Sequence, residues 1–203
     1  MVRRLLTLTL IMILSSISIS SNQANAAQKV VTIKEAIIKH SIEMGIDPAL
    51  GLSIAKQESG FCHEKRSSYG AVGVFQLMPG TAKRLGYNPY HLNENIRGGL
   101  MYYKMMYKMF GSTELALAAY NAGPGNVKKY KGVPPFSETK RFISGIMNEY
   151  NYQKVNPDPV LKKYKTAPKS DKHVSNATEI KRYEPLVLQQ DNFLDNFMLT
   201  QAI

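Results

Sequence analysis

The chain has 203 residues, 44% of them hydrophobic and 20% charged. That size and balance suit one globular domain with accessory segments and exclude a wholly disordered or collagen-like protein. The one cysteine, Cys62, excludes an internal disulfide framework, and without a cysteine–histidine cluster structural zinc is excluded as well. Lys and Arg number 26 against 15 Asp and Glu, a formal net charge of +11, which points to a polyanionic partner without choosing between nucleic acid, a membrane surface and an anionic polymer.

Residues 1–26 have the form of a secretory signal peptide. Arg3 and Arg4 give a positive start, Leu5 to Ile19 carries no charge, and Ala24-Asn25-Ala26 supplies the small-x-small pattern of a cleavage site. An uncut N-terminal anchor is the competing reading, disfavoured because the segment is short and serine-rich for a bilayer span. The expectation is a periplasmic or extracellular protein without a membrane anchor after cleavage. Between Ala27 and Lys154 there are 17 basic and 9 acidic residues, and from Val155 onward 7 and 6. The basic character therefore belongs to the middle of the chain.

That middle, residues 29–154, reads as an all-α domain of short helices. Thr32-Ile-Lys-Glu35 has the form of a capping box, with Ile33, Ala36 and Ile37 following at helical spacing. Gly45 is a natural stop. Asp47-Pro48 then offers an N-cap with proline at the first helical position, opening a helix that runs towards Glu58 and ends near Gly60. Asn93 is placed to cap a longer helix whose Ile96, Leu100, Tyr103, Tyr107 and Phe110 share one face, with Gly111 ending it. A short helix follows from about Thr113 to Asn121, stopped by Gly123-Pro124-Gly125. Another begins near Ser137 with Phe142, Ile146 and Tyr150 on one side. Residues 155–203, with Asn156-Pro-Asp-Pro159 and Ala167-Pro-Lys-Ser-Asp171, read as a linker or partly disordered tail. Phe193, Leu194, Phe197 and Met198 form one small amphipathic stretch near its end.

One carboxylate stands out. Glu58 falls where an apolar helix reaches its C-terminal end, and there the negative end of the helix dipole and neighbouring apolar side chains both disfavour ionisation. A raised pKa is what a general acid near neutrality requires. On its own, a glutamate at a helix end is more often a surface residue.

The surrounding motifs add context. Glu58-Ser59-Gly60-Phe61, Ser67, Gly70-Ala71-Val72-Gly73-Val74-Phe75-Gln76, Ala119-Tyr120-Asn121-Ala122-Gly123, and Glu138-Thr139 with Phe142-Ile143 resemble, in order and interval, the catalytic domain of the soluble lytic transglycosylases. The resemblance spans about residues 33–150. It implies a goose-lysozyme-like α fold and an enzyme, a lyase that cleaves the β-1,4 bond between N-acetylmuramic acid and N-acetylglucosamine in peptidoglycan and leaves a 1,6-anhydro end. Through it Glu58 matches the catalytic acid, which first protonates the glycosidic oxygen and then takes the proton of the C6 hydroxyl. Ser67 matches a serine contacting the catalytic region, and Gln76 a glutamine suited to sugar acetamido groups. Tyr120 matches a tyrosine beside the acid, where its hydroxyl would orient Glu58. Asn121 belongs to the same motif as a substrate-side residue or, more simply, as a holder of the turn. Glu138 reads as a structural cap or ion-pair partner.

The resemblance also accounts for a missing second carboxylate, since the substrate's own acetamido group would support the positive C1. No aspartate stands between Asp47 and Asp158, so a two-carboxylate glycosidase would have to recruit a glutamate. Departures from the family pattern are His63 and Lys65, where Pro and Ala are usual, Val74-Phe75 for Leu-Met, and Phe142 for Tyr. His40, His63, His91 and His173 show no ligand spacing, so neither metal nor cofactor is implied. Lys128, Lys129 and Lys131 form a basic cluster best read as a solvated face. The Met-Tyr run from Met101 to Met109 is best read as core. Two other functions stay open at this point: a water-using muramidase on the same fold, and a wall-binding protein without catalysis. Export and the lack of a recognised motif disfavour nucleic acid as the partner. An envelope-spanning secretion or conjugation complex is one setting that suits a small unanchored member of the family, and general wall turnover is another.

Overall fold

The computed structural model describes residues 2–166, with side-chain surroundings for residues 23–164. It is all-α. Among the described residues eight helices follow in order: α1 (Val2–Glu43), α2 (Pro48–Ser59), α3 (Pro79–Arg84), α4 (Leu92–Phe110), α5 (Thr113–Ala122), α6 (Pro124–Tyr130), α7 (Ser137–Val155) and α8 (Pro159–Thr166). Among the described residues, β pairing is confined to two isolated bridges, Arg66 with Val72 and Val72 with Leu77.

α2 is the central piece. Asp47 caps it by accepting the Ala49 N–H at 2.9 Å, and Pro48 sits at its first turn, as the sequence predicts. α2 packs on α1 and on α7, while α4 packs on α5. Ile37, Ile38, Leu52, Ile54, Ile96, Leu100, Met106, Leu117 and Ile146 are fully enclosed between them. Burial of side chains this size contributes about 1.5–3 kcal/mol each relative to exposure. α2 and α7 approach closely at Gly145, where a Cβ would stand 2.5 Å from Oε1 of Gln57.

Several sequence expectations change. The capping box at Thr32 opens no helix: α1 runs through it, and the Thr32 hydroxyl donates back to the Gln28 carbonyl at 3.1 Å. The hydroxyl found a carbonyl one turn earlier, the usual alternative for threonine inside a helix. Asn93 does not cap α4, since His91 holds that position. Glu94 instead reaches back, accepting the Asn88 N–H at 2.7 Å and facing His91 Nδ1 at 3.0 Å. Tyr107, expected on the buried face, is exposed, whereas Tyr102, Tyr103, Met105 and Met106 are core. Two short helices, α3 and α6, occupy stretches to which the sequence assigned no element, each with proline in its first turn.

The tail boundary also moves. Residues 159–166 are helical rather than linker, and α8 docks on α1 with Leu161 buried. Asp158 caps α8 by accepting the Val160 N–H at 2.9 Å and pairs with Lys34 of α1 at 2.7 Å. The Asp-Pro dipeptide that looked like linker chemistry is a helix start. The amphipathic stretch around Phe193 lies outside the described residues.

Candidate active site

Glu58 lies one residue before the end of α2. Gly60 closes the helix in the left-handed region at φ 64°, its N–H returning to the Lys56 carbonyl. Phe61, at φ 67°, continues that left-handed turn and throws the chain into the irregular segment 60–78. Glu58 is half-buried. Burial, above all, pushes its carboxyl up from the ordinary 4.5 to about 8; the Lys65 ammonium opposes this and the Glu138 carboxylate adds to it. The acid is therefore mostly protonated at neutral pH, as the sequence expectation requires.

Segment 60–78 is held by polar side chains. The Ser59 hydroxyl donates to the Val74 carbonyl at 2.9 Å and accepts the Cys62 N–H at 3.1 Å, stitching the end of α2 to the far side of the loop. The Ser67 hydroxyl accepts the Ala71 N–H at 2.9 Å. Gln76 adopts φ 43°, an uncommon conformation for a residue with a Cβ. Its amide donates to the carbonyls of Gly73 at 2.8 Å and Lys65 at 3.2 Å. Gly73 sits at φ 80°, where a Cβ would stand 2.5 Å from the Asn95 amide. Asn95 is fully buried on α4. Its oxygen accepts the Phe75 N–H at 3.0 Å, and its nitrogen donates to Val72 at 2.7 Å and Pro89 at 3.0 Å.

Tyr120 is buried on α5, between Tyr102 (ring centroids 5.1 Å apart) and Phe142 (6.3 Å, stacked). Its hydroxyl donates to the Phe75 carbonyl at 2.8 Å. Where the sequence suggested that this hydroxyl orients Glu58, its hydrogen in fact goes to the loop. It remains near the acid: burial first, then the Glu58 charge, raises the Tyr120 pKa well above its ordinary value. Asn121 turns towards α7, its Oδ1 accepting the Thr139 hydroxyl at 2.7 Å. The turn after α5 is held instead by Asn126, which donates to the Ala122 carbonyl at 2.8 Å. Glu138, in the first turn of α7, is exposed and within electrostatic reach of Glu58.

The fold thus gathers Glu58, Tyr120 and Glu138 from three helices, while Gln76 spends its amide on the backbone of segment 60–78. Ser67 and Asn121 act here on other protein groups. Sequence reasoning missed Asn95 and Ser59. The signal for Asn95 was a polar residue immediately before Ile96, on the side of the helix that faces the core.

Chemically, a half-buried carboxyl that keeps its proton near neutrality is equipped to donate it to a leaving oxygen. Residues 35–143 match the family profile of the transglycosylase SLT domain. The soluble lytic murein transglycosylase of Escherichia coli K12 is 33% identical over 127 residues, covering 50% of this chain and 20% of that protein. A transglycosylase of Enterobacteria phage PRD1 is 31% identical over 128 residues, covering 63% of this chain and 46% of its own. The chain thus spans a fifth to under a half of the length of these relatives. Among solved structures, an inactive glutamate-to-glutamine mutant of a lytic transglycosylase from Pseudomonas aeruginosa superposes with a TM-score of 0.54 at 30% identity, covering 62% of this chain and 25% of that one. The 70 kDa soluble lytic transglycosylase of Escherichia coli does so with a TM-score of 0.54 at 28% identity, over 62% and 24%.

Proposed function

This chain belongs to the transglycosylase SLT domain family, and on that premise we propose that it is a lytic transglycosylase acting on peptidoglycan, with Glu58 as its acid and base. The observation that carries the reading is the Glu58 carboxyl, half-buried at the end of α2 with its pKa raised to about 8. In the first step Glu58 gives its proton to the glycosidic oxygen as the bond from C1 of N-acetylmuramic acid breaks. In the second, the Glu58 carboxylate takes the proton of the C6 hydroxyl as that oxygen bonds to C1. The proton given in one half returns in the other, and no water is consumed. The solved Pseudomonas aeruginosa relative, inactive with glutamine in place of one glutamate, agrees with a single indispensable carboxyl. Gln76, Ser67, Tyr120 and Asn121 complete the proposed substrate side, the first two by shaping the segment that borders the acid and the last two by fixing the helices behind it.

Residues 1–26 deliver the enzyme to the envelope as a cleaved export signal. Among the described residues no helix is long and apolar enough to cross a membrane. The cellular setting we propose is local opening of the wall for an envelope-spanning secretion or conjugation apparatus; a deletion strain that exports and conjugates at parental rates removes that setting. The activity itself is tested by digesting purified peptidoglycan and weighing the fragments. Ends lighter by one water, the 1,6-anhydro product, are expected from the wild type and lost in Glu58→Gln. Reducing ends would replace the reading with that of a muramidase, and binding without fragments would replace it with that of a wall-binding protein.

A further inference from the structure

Lys65 stands where the family pattern has a small apolar residue, and its side chain goes back towards the acid. Its Nζ donates to the main-chain carbonyl of Glu58 at 2.7 Å. The base of the side chain is fixed as firmly as its tip. The Lys65 carbonyl accepts the Gly73 N–H at 3.0 Å and the Gln76 amide at 3.2 Å, while the Lys65 N–H reaches the Cys62 carbonyl at 3.4 Å. Arg66 also donates to that Lys65 carbonyl, at 2.8 Å. A lysine held at both ends places its ammonium reproducibly, which a freely rotating surface lysine does not.

We propose that Lys65 is a positioning residue for the reaction: its ammonium, tied to the Glu58 carbonyl, fixes the last turn of α2 and sets a positive charge against the catalytic carboxyl. The inference rests on the reading of Glu58 as the acid. Two physical consequences follow. The ammonium satisfies a carbonyl of the final helical turn, one of the acceptors that a helix end leaves without an internal partner. It also favours the ionised form of Glu58, which the acid must become after its first proton transfer and must be in order to act as base in the second. The charged and titratable groups facing Glu58 are Lys65 from segment 60–78, Tyr120 from α5 and Glu138 from α7. Burial and Glu138 push the carboxyl towards permanent protonation, and Lys65 pulls the other way. Without Lys65 the same burial would yield a stronger hold on the proton and a weaker acid.

The sign is definite. Activity in kcat/KM requires protonated Glu58 in the free enzyme, so the alkaline limb of the profile follows the Glu58 pKa. Removing a positive neighbour raises that pKa, so the limb of Lys65→Met moves to higher pH. Lys65→Arg keeps the charge and returns the limb to its wild-type place. Glu138→Gln removes a negative neighbour and moves the limb down. A lysine that only braced the helix end would lower kcat and leave the limb where it was.

The experiment is the pH profile of peptidoglycan cleavage by wild type, Lys65→Met, Lys65→Arg and Glu58→Gln, paired with carboxyl NMR titration of Glu58 in the first three. An upward shift in Lys65→Met by both measurements, reversed in Lys65→Arg, is expected. Superimposed limbs and superimposed titrations overturn the role of Lys65 while leaving Glu58 as the acid, provided Glu58→Gln is inactive. Wild-type turnover in Glu58→Gln overturns the parent reading, and this inference with it. The NMR titration reads Glu58 directly, so a variant with low turnover is still decided by the position of its titration curve.

Discussion

In α4 the backbone satisfies itself. Its amides and carbonyls pair along the helix, Ile96, Leu100, Tyr103 and Met106 go inward, and Gly111 ends it at φ 70°. In segment 60–78 the backbone pairs through irregular turns and the two isolated bridges instead of a regular ladder, and side chains supply the rest. Ser59, Ser67, Gln76 and Asn95 commit their side chains to its backbone, and five of its residues, Gly60, Phe61, Gly70, Gly73 and Gln76, adopt positive φ. The helix is stabilised by apolar burial spread over many residues. The segment is held by directional bonds, of which those of Ser59 and Asn95 are costly to lose because they are buried. The two meet on α4 itself. Gly99 leaves room there for the Phe75 ring, and Gly98 for Leu77, whose Cδ2 would stand 2.8 Å from an added Cβ. A glycine inside a helix costs about 1 kcal/mol relative to alanine, and here that cost lets segment 60–78 seat on the scaffold.

If this contrast is right, damage to the segment's end should show in chemistry and damage to α4 in stability. The largest effect belongs to Glu58→Gln, expected to lower turnover on peptidoglycan at least about 10³-fold, measured by release of anhydro fragments. The same variant should gain stability. The folded pKa of about 8 lies above the ordinary 4.5. Between those values the unfolded chain therefore gives up a proton that the folded chain keeps, and stability falls as pH rises through the window. Glutamine escapes that loss. Thermal melts should show no advantage for the variant below pH 4.5 and an advantage of roughly 1–3 kcal/mol near pH 8, discounted for the solvent-exposed edge of the side chain. Equal melting curves at both pH values would mean that burial does not strain the carboxylate.

Leu100→Ala, deep in α4, should cost about 2–5 kcal/mol in denaturant unfolding while the alkaline limb of the activity profile stays in place. A displaced limb would erase the distinction between scaffold and segment. Asn95→Ala sharpens it, because Asn95 belongs to both. Losing its bonds to Phe75, Val72 and Pro89 should cost roughly 1–3 kcal/mol and also lower kcat, since those carbonyls and amides shape the segment beside Glu58. Loss of stability with unchanged kcat would show that the segment keeps its form without this anchor.

Much of the scaffold was legible in the sequence. The Asp47-Pro48 start of α2, the apolar face of α4 and the Gly111 stop follow from local rules. What misled was local chemistry with more than one use: the Thr32 box lies inside α1, and the Asp158-Pro159 pair opens α8. Each pattern is compatible with two structures, and long-range packing selects one. Lys34 reaching Asp158 from α1 is such a contact, set by residues far apart in the chain.

At the site, the sequence by itself determined the candidate carboxyl Glu58, its helix-end position and the set of motifs around it, because those depend on residue type and spacing. Tertiary structure alone decided who touches whom. It sent the Tyr120 hydroxyl to the Phe75 carbonyl rather than to Glu58, turned Asn121 to Thr139, brought Glu138 within reach of the acid and folded Lys65 back onto it. The physical reason is that a hydrogen bond or a charge pair is fixed by distance in space, and in a loop bound through side chains that distance is not a function of sequence separation.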